Sequence, residues 1–208
     1  MRPAELTAPA LLLPLPAVLF PDGTLSLRLT DPALQRGVAL CRHEGLPVGL
    51  VTHRTADTPT APPFETIGCL AAVLRADDAT AGSAEGSQPV RCRGLQRFGW
   101  TAVRRDEQGL WQADAFTLIE PDPVQSPTAE QRASAEALGR ALHTLQQRGE
   151  ALPIEPPWPL DDAGWVANRW CELLPIPLRL RHELMALGDP RIRLQLVDGF
   201  LRRHRIIS

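Results

Sequence analysis

The segment of residues 11–32, LLLPLPAVLFPDGTLSLRLTDP, restricts the fold of this chain more than any other. Prolines interrupt its apolar first half, and because proline lacks the amide hydrogen that a helix interior needs, this half is extended. Asp22-Gly23 predicts a turn, and residues 24–29 then alternate polar with apolar side chains, as a half-buried strand does. Asp31 is a helix N-cap, and Pro32 suits the first helical position. The segment therefore predicts strand, turn, strand and helix.

Strand patterns continue as far as residue 122. Four more strands are predicted, at residues 46–53, 64–75, 90–103 and 110–119. The second of these segments ends in Ala-Ala-Val-Leu, so a helix is the alternative there. Loop-forming residues fill segments 54–63 and 79–89. A short helix at residues 33–43 is the exception, and residues 1–122 are therefore predicted to be a β-rich domain.

Among the glycines inside the predicted strands, Gly68, Gly94 and Gly99 are the candidates for irregularities of the sheet. A glycine in a strand interior marks a bulge, a bend or a close approach of backbone. These positions therefore predict a sheet that curls towards a barrel.

From residue 123 onward the pattern becomes helical. Ser126-Pro127 and Asp189-Pro190 place a capping residue before a first-turn proline, and Asp161 caps a helix between them. A further helix is predicted at about residues 177–187. The predicted buried face of the last helix consists of Ile192, Leu196, Val197, Phe200 and Leu201. Residues 123–208 are thus predicted to be a helical bundle, and the fold class is α+β.

Short motifs along the chain match those of one protein family. They are Leu13-Pro14-Leu15, Leu19-Phe20-Pro21, Leu27-Arg28-Leu29-Thr30-Asp31-Pro32, Ile67-Gly68-Cys69-Leu70-Ala71 and Gly94-Leu95-Gln96-Arg97-Phe98. With these motifs the chain resembles the N-terminal, substrate-binding domain of Lon proteases. The resemblance implies a curled, mainly antiparallel sheet or pseudo-barrel of the PUA-like type, followed by helices. It also implies a module that binds protein or peptide, including unfolded or degradation-marked polypeptide.

The sequence contains no lysine, and this excludes several kinds of chemistry. A P-loop needs a lysine at the phosphates, and a Ser-Lys protease dyad needs one as its base. These residues therefore hold neither the ATPase nor the peptidase of a Lon protease. We expect a free-standing, non-catalytic member of the family that needs no cofactor.

Metal and nucleophile motifs are also incomplete. His182-Glu183 begins a zincin motif, but its second histidine would fall at Ala186. Cys41, His43 and His53 offer three zinc ligands without a fourth at a usual spacing. No metal is therefore expected, although a Ser/His/Asp triad assembled only in space stays open as a third class of function.

The cysteines and the apolar segments indicate in which cellular compartment the protein is expected. Cys41, Cys69, Cys92 and Cys171 form no C-x-x-C pair and predict free thiols in a reducing environment. No apolar segment approaches the roughly 20 residues of a membrane span. We therefore expect a cytoplasmic protein.

Two surfaces are candidates for binding. For protein or peptide the candidate residues are Arg28, Arg97, Phe98, Trp100 and Trp111, of which the two tryptophans lie on predicted strands near a curled edge. The alternative function is RNA binding by a PUA-like domain together with residues 179–208. This segment contains seven arginines and only three acidic residues. The partner itself cannot be identified from the sequence.

Overall fold

A computed structural model of the protein describes residues 5–6, 9–55, 58, 61–76, 87–148, 154 and 156–207. The chain divides into two compact units, Met1–Pro121 and Asp122–Ser208. The predicted division into a β-rich subdomain, residues 1–122, and a helical subdomain, residues 123–208, remains a prediction. Much of the predicted loop 79–89 lies outside the described residues, as do residues 149–153.

The described residues of the first unit form seven strands and one helix. In chain order these are β1 (Glu5–Leu6), β2 (Ala10–Leu15), β3 (Thr24–Leu29), α1 (Pro32–Glu44), β4 (Val48–His53), β5 (Phe64–Ala76), β6 (Gln88–Arg105) and β7 (Trp111–Leu118). The helix alternative for residues 64–75 is therefore wrong. Asp31 caps α1 through a 2.8 Å hydrogen bond from Ala33 N, and Gly45 ends it in the left-handed region with φ of 69°.

The strands form a curled sheet in the order β1-β7-β2-β4-β5-β6-β3. Because β7 also pairs with β6, strands β2, β4, β5, β6 and β7 close into a ring. The β2–β4 pair is parallel, and the other described pairs are antiparallel. The predicted curled, mainly antiparallel fold is thus confirmed. β3 pairs with β6 alone among the described strands and so forms one edge of the sheet.

Apolar side chains cover both faces of the sheet because successive strand residues point to opposite sides. Leu11 and Leu13 of β2 belong to one buried cluster, which also includes Val38 of α1. Leu12, between them, belongs to a second cluster with Phe64 and Phe98. The near-continuous apolar run of β2 is therefore buried on both sides.

Two of the strand glycines are required by close backbone contacts. A Cβ at Gly68 would lie 2.4 Å from the carbonyl oxygen of Leu50 on the neighbouring strand. A Cβ at Gly94 would lie 2.1 Å from the carbonyl oxygen of Phe20, and Gly94 N donates to Gly23 O at 2.8 Å. The apolar proline-containing segment is thereby held against β6.

The second unit contains α2 (Arg132–Gln147), α3 (Ala163–Leu173), α4 (Leu178–Ala186) and α5 (Pro190–Arg203). Asp189 caps α5 as predicted. The cap of α3 is Asp162, one residue later than predicted, and α2 begins at Arg132 instead of near Ser126-Pro127. Within the described residues, no helix has the length and apolar character needed to cross a membrane.

The predicted buried face of α5 is partly wrong. Ile192 and Leu196 are 47% and 55% exposed, whereas Arg193 is 1% exposed. Arg193 donates to Asp122 Oδ2 at 2.5 Å and to Asn168 Oδ1 at 2.9 Å. Because these partners satisfy the buried charge, the helix turns its arginine inward and exposes two apolar side chains.

Candidate functional site

Three aromatic rings and one arginine form a continuous group on the first unit, which we call the aromatic cluster: Phe64, Trp100, Trp111 and Arg105. The ring of Phe64 lies edge-on to both tryptophans, with centroid distances of 5.6 Å to Trp100 and 5.2 Å to Trp111. Phe64 is fully buried, and the two tryptophans are partly exposed. The cluster therefore presents two indole rings on a buried aromatic base.

Strand pairing brings these residues together. Phe64 is the first residue of β5, whereas Trp100 lies in β6 and Trp111 begins β7. Residues 106–110 form a turn between β6 and β7, so that Arg105 stands directly opposite Trp111. The guanidinium carbon of Arg105 lies 4.6 Å from the centroid of the Trp111 ring. This cation–π contact adds to the packing that orients the Trp111 ring.

Both tryptophan rings are fixed by the surrounding structure. Trp100 Nε1 donates to Glu65 O at 2.9 Å, and both rings pack against the buried cluster that contains Phe98. A side chain that is already ordered loses little conformational entropy when a ligand covers it. The aromatic cluster is thus preorganised to contact apolar side chains of a partner.

The five predicted site residues have different surroundings. Trp100 and Trp111 lie together in the aromatic cluster, and Arg28 is exposed on β3. Arg97 and Phe98 are 3% and 0% exposed, so the prediction that they lie on a contact surface is wrong. Phe98 instead fills the sheet interior, with its ring 5.7 Å from that of Phe116.

Two members of the aromatic cluster, Phe64 and Arg105, were not predicted as site residues. The signal for Arg105 lies in the hairpin, because a short turn between predicted strands places the flanking residues opposite each other. Phe64 gives no such signal. It approaches the tryptophans only when the sheet closes, and closure depends on pairings distant in sequence.

A second feature of this unit is a cleft beside β3, which we call the arginine cleft. It has a volume of about 350 Å³, and its lining residues are Ser26, Leu27, Arg28, Arg75, Pro89, Val90 and Arg91. Three arginines line it, and the described lining residues include no carboxylate. Of these arginines only Arg28 was predicted as a site residue.

The described residues contain no group of three or more metal-binding side chains. Cys69, Cys92 and Cys171 are buried, and Cys41 is partly exposed. Burial raises the pKa of the Cys92 thiol to about 11 and that of Cys171 to about 12. Since the thiolate is the reactive form, these two thiols are poor nucleophiles at neutral pH.

Several arginines of the C-terminal helices make contacts within the second unit. Arg193 is buried against Asp122, Arg202 donates to Asp198 at 2.7 Å, and Arg181 donates to Leu174 O at 2.9 Å. Arg179 pairs with Glu183 at 2.9 Å on the exposed side of α4. These four arginines of residues 179–208 thus take part in contacts within the second unit.

Comparison with known proteins identifies relatives of this fold. The sequence profile of the family described as the ATP-dependent protease La (LON) substrate-binding domain matches residues 10–203. No curated protein matches the chain.

The solved structures similar to the chain include two Lon N-terminal domains. The Lon N-terminal domain protein from Xanthomonas campestris is 26% identical with a TM-score of 0.69, over 91% of this chain and 96% of that one. The N-terminal domain of the Mycobacterium avium complex Lon protease shares the fold at 16% identity, with a TM-score of 0.61. That match covers 95% of this chain and 100% of the mycobacterial domain.

Proposed function

Because this chain belongs to the LON substrate-binding domain family, we propose that it binds unfolded polypeptide noncovalently, with the aromatic cluster as the contact surface. The observation that carries this proposal is the pair of partly exposed rings, Trp100 and Trp111, each in edge-on contact with the buried Phe64. The family provides the class of partner, and the cluster provides a physical means of holding it.

An unfolded chain differs from a folded protein in the apolar side chains that it exposes. Tryptophan rings bury a large apolar area on contact and are enriched among the residues that dominate binding energy. The indole rings of the cluster therefore favour a partner with accessible apolar or aromatic side chains. Folded proteins keep most such side chains inside and offer them little to bind.

We propose that binding occurs without catalysis. The absent lysine excludes a Ser-Lys dyad. The raised pKa of Cys92 and of Cys171, caused by burial, opposes nucleophilic attack by either thiol. Trp100 and Trp111 pack against a cluster of buried apolar side chains, which suits reversible contact better than acid–base chemistry.

The test is equilibrium binding of a fluorescently labelled, permanently unfolded polypeptide, followed by anisotropy. A tryptophan-to-alanine change at a dominant contact weakens binding by about thirtyfold, since such contacts contribute about 2 kcal/mol or more. We therefore expect Trp100→Ala and Trp111→Ala each to show a loss of this size. The matched control is Leu95→Ala, which removes a 49% exposed apolar side chain from the same strand, outside the cluster.

Unchanged affinity in both tryptophan variants, with their thermal unfolding like that of the wild type, would exclude the aromatic cluster as the contact surface. Equal affinity for a folded protein and for its unfolded form would exclude the proposed preference. RNA binding is the alternative outcome, and it is recognised by a steep loss of affinity with rising salt.

A further inference from the structure

We propose that helix α5 carries a docking surface for an amphipathic helix of a partner protein. The partner helix is apolar along one side and acidic at its margins. The surface lies on the second unit, and the proposal does not depend on binding at the aromatic cluster. We call this surface the α5 face. It consists of an apolar part, Ile192, Leu196, Gly199 and Phe200, and a basic margin, Arg191, Arg203 and Arg205.

Helix α5 is apolar on two opposite sides. Its packed side buries Leu194, Val197 and Leu201. A helix that packs in this way normally presents polar residues to water on its other side. Here that other side carries Ile192 and Leu196, both of which are exposed. Contact with an apolar surface of a partner would remove these two side chains from water.

A ridge of apolar side chains runs along the α5 face, because Ile192, Leu196 and Phe200 follow one another at intervals of four residues. Phe200 is partly exposed, and its ring centroid lies 4.2 Å from that of His204, one turn further along. Side chains at this spacing form a ridge that packs into the groove of a second helix. The pattern therefore favours a helix over an extended chain as the partner.

Gly199 leaves a notch beside this ridge. The residue is exposed inside α5, and a Cβ built on it would meet nothing within 4 Å. Glycine destabilises a helix interior relative to alanine, and no described neighbour occupies the space that it leaves here. The distance between two packed helices depends on the side chains at their contact. A partner helix can therefore lie closer to α5 at Gly199.

The margin of the α5 face is basic. Arg191, Arg203 and Arg205 are exposed. Their guanidinium groups take part in no hydrogen bond or ion pair with any described residue. Charged residues beside an apolar stripe select the partner of a helix by their sign. These three arginines therefore favour carboxylates at the margins of the partner helix.

The acidic residues of α5 and of its cap already have partners. Asp198 is buried and accepts hydrogen bonds from Arg202 at 2.7 Å and from Ser134 at 2.6 Å. Asp189 accepts hydrogen bonds from two backbone amides in the first turn of the helix. The positive charge of the margin is thus available to the carboxylates of a partner.

The ridge and the notch distinguish this partner from nucleic acid and from lipid. Contacts with phosphates supply most of the nonspecific affinity for nucleic acid, and aliphatic side chains such as Ile192 and Leu196 add nothing to them. A hydrocarbon layer binds more strongly as more apolar area is buried, so it gains nothing from the space at Gly199. A helix uses both features.

The test uses a fluorescently labelled, stapled peptide helix with leucines along one side and glutamates at both margins, the Glu helix. A Gln helix carries glutamine in place of glutamate, and a dispersed helix has the composition of the Glu helix with its leucines spread around all sides. We expect the Glu helix to bind about tenfold more tightly than the Gln helix, because several exposed charge pairs together contribute about this factor. The dispersed helix should bind more weakly than the Glu helix, since it buries less apolar area.

Two substitutions test the apolar part of the face. Leu196→Ala should weaken binding of the Glu helix about tenfold, because a buried leucine contributes at least that factor. Its control is Leu40→Ala, which removes a 57% exposed leucine from α1 of the first unit and should leave the affinity unchanged. Gly199→Gln should raise the unfolding temperature, because glutamine is the better helix former, and still weaken binding, because it fills the notch.

A double substitution tests the basic margin. Arg191→Gln combined with Arg203→Gln should remove most of the preference for the Glu helix over the Gln helix. The control is Arg140→Gln, which replaces an exposed arginine of α2 that pairs with Glu136 at 3.8 Å and should leave the preference intact. The preference should also shrink in high salt, which screens exposed charges.

Equal affinities for the Glu and Gln helices would overturn the proposal, as would equal losses in Leu196→Ala and Leu40→Ala. Wild-type affinity in Gly199→Gln would overturn it too, because no helix then lies close to α5. Two other probes are measured in parallel, a single-stranded RNA and vesicles of phosphatidylcholine with phosphatidylserine. If either binds more tightly than the Glu helix and is lost in the double arginine variant, the α5 face binds nucleic acid or an anionic membrane, and the proposal is wrong.

Discussion

The guanidinium group of Arg193 lies 2.5 Å from the carboxylate of Asp122, and their side chains are only 1% and 16% exposed. Arg193 also donates to Leu184 O at 2.8 Å and to Leu187 O. One buried arginine therefore ties the segment before α2 to α3, α4 and α5.

Substitution of Arg193 should destabilise the second unit strongly. Removing one partner of a buried ion pair costs about 3–5 kcal/mol, because the other charge is left unpaired. We expect Arg193→Gln to lower the free energy of unfolding by an amount in this range, measured by urea denaturation. Arg191→Gln, an exposed position two residues earlier on α5, should change it by less than about 0.5 kcal/mol. Similar values for the two variants would contradict the structure.

The N-cap of α3 distinguishes between two adjacent aspartates. Asp162 Oδ1 accepts hydrogen bonds from Gly164 N at 2.9 Å and Trp165 N at 3.4 Å, whereas the neighbouring Asp161 is exposed. Asp162→Ala should therefore lower the free energy of unfolding by about 1 kcal/mol, and Asp161→Ala should have little effect. Thermal unfolding of both variants measures the difference, and the reverse order would favour the prediction made from sequence.

Two glycines of β6 should respond differently to the same substitution. At Gly94 an added Cβ would meet the carbonyl oxygen of Phe20 at 2.1 Å, but at Gly99 it would meet nothing within 4 Å. Gly94→Ala should destabilise the first unit by about 1–3 kcal/mol, as overpacking does. Gly99→Ala should be neutral or slightly stabilising, because it reduces the freedom of the unfolded chain. Equal unfolding midpoints for the two variants would refute the close contact.

Through Asp106, the stability that the turn before β7 contributes to folding depends on pH. Its carboxylate accepts hydrogen bonds from the Gln112 side chain at 3.0 Å and from the backbone amides of Leu110 and Gln108, each at 2.9 Å. Of these, the Gln112 bond contributes most to lowering the pKa of Asp106 below its usual 3.8. A lowered pKa stabilises the folded state above pH 3.8, and this contribution disappears as pH falls through the folded-state pKa.

Asp106→Asn should therefore reduce the dependence of unfolding on pH in the acid range below 3.8. An NMR titration of the Asp106 carboxyl carbon measures the pKa directly. Glu107→Gln, in the same turn and exposed, is the control for a change of charge alone. A titration midpoint at or above the usual value would show that these hydrogen bonds do not favour the ionised form.

Local signals in the sequence were sufficient for much of the first unit. Asp31-Pro32 and Gly45 mark the ends of α1 through their own backbone chemistry, and the first of these positions was predicted. Gly68 and Gly94 mark close approaches of backbone, which exclude any side chain. The predicted family and fold are confirmed. They could be predicted because such motifs reflect requirements of the backbone, which a few neighbouring residues are enough to indicate.

Contacts between residues distant in sequence set the limit of these predictions. Arg193 is separated from Asp122 by 71 residues, and a hydrophobic pattern cannot reveal that a charged residue is buried and paired. The motif that contains Arg97 and Phe98 identified the family correctly, but both residues are buried, so the motif records packing and not a contact surface. Arg75 reaches the arginine cleft only through a bulge, which no local pattern predicts.

The most direct test of the proposed binding surface uses the indole N–H groups of the five tryptophans, whose NMR signals are resolved by nitrogen-15 labelling. During titration of the wild-type protein with an unfolded polypeptide, the signals of Trp100 and Trp111 should shift. Those of Trp158, Trp165 and Trp170, all in the second unit, should stay in place. Shifts confined to these three tryptophans, with Trp100 and Trp111 unmoved at saturation, would contradict binding at the aromatic cluster.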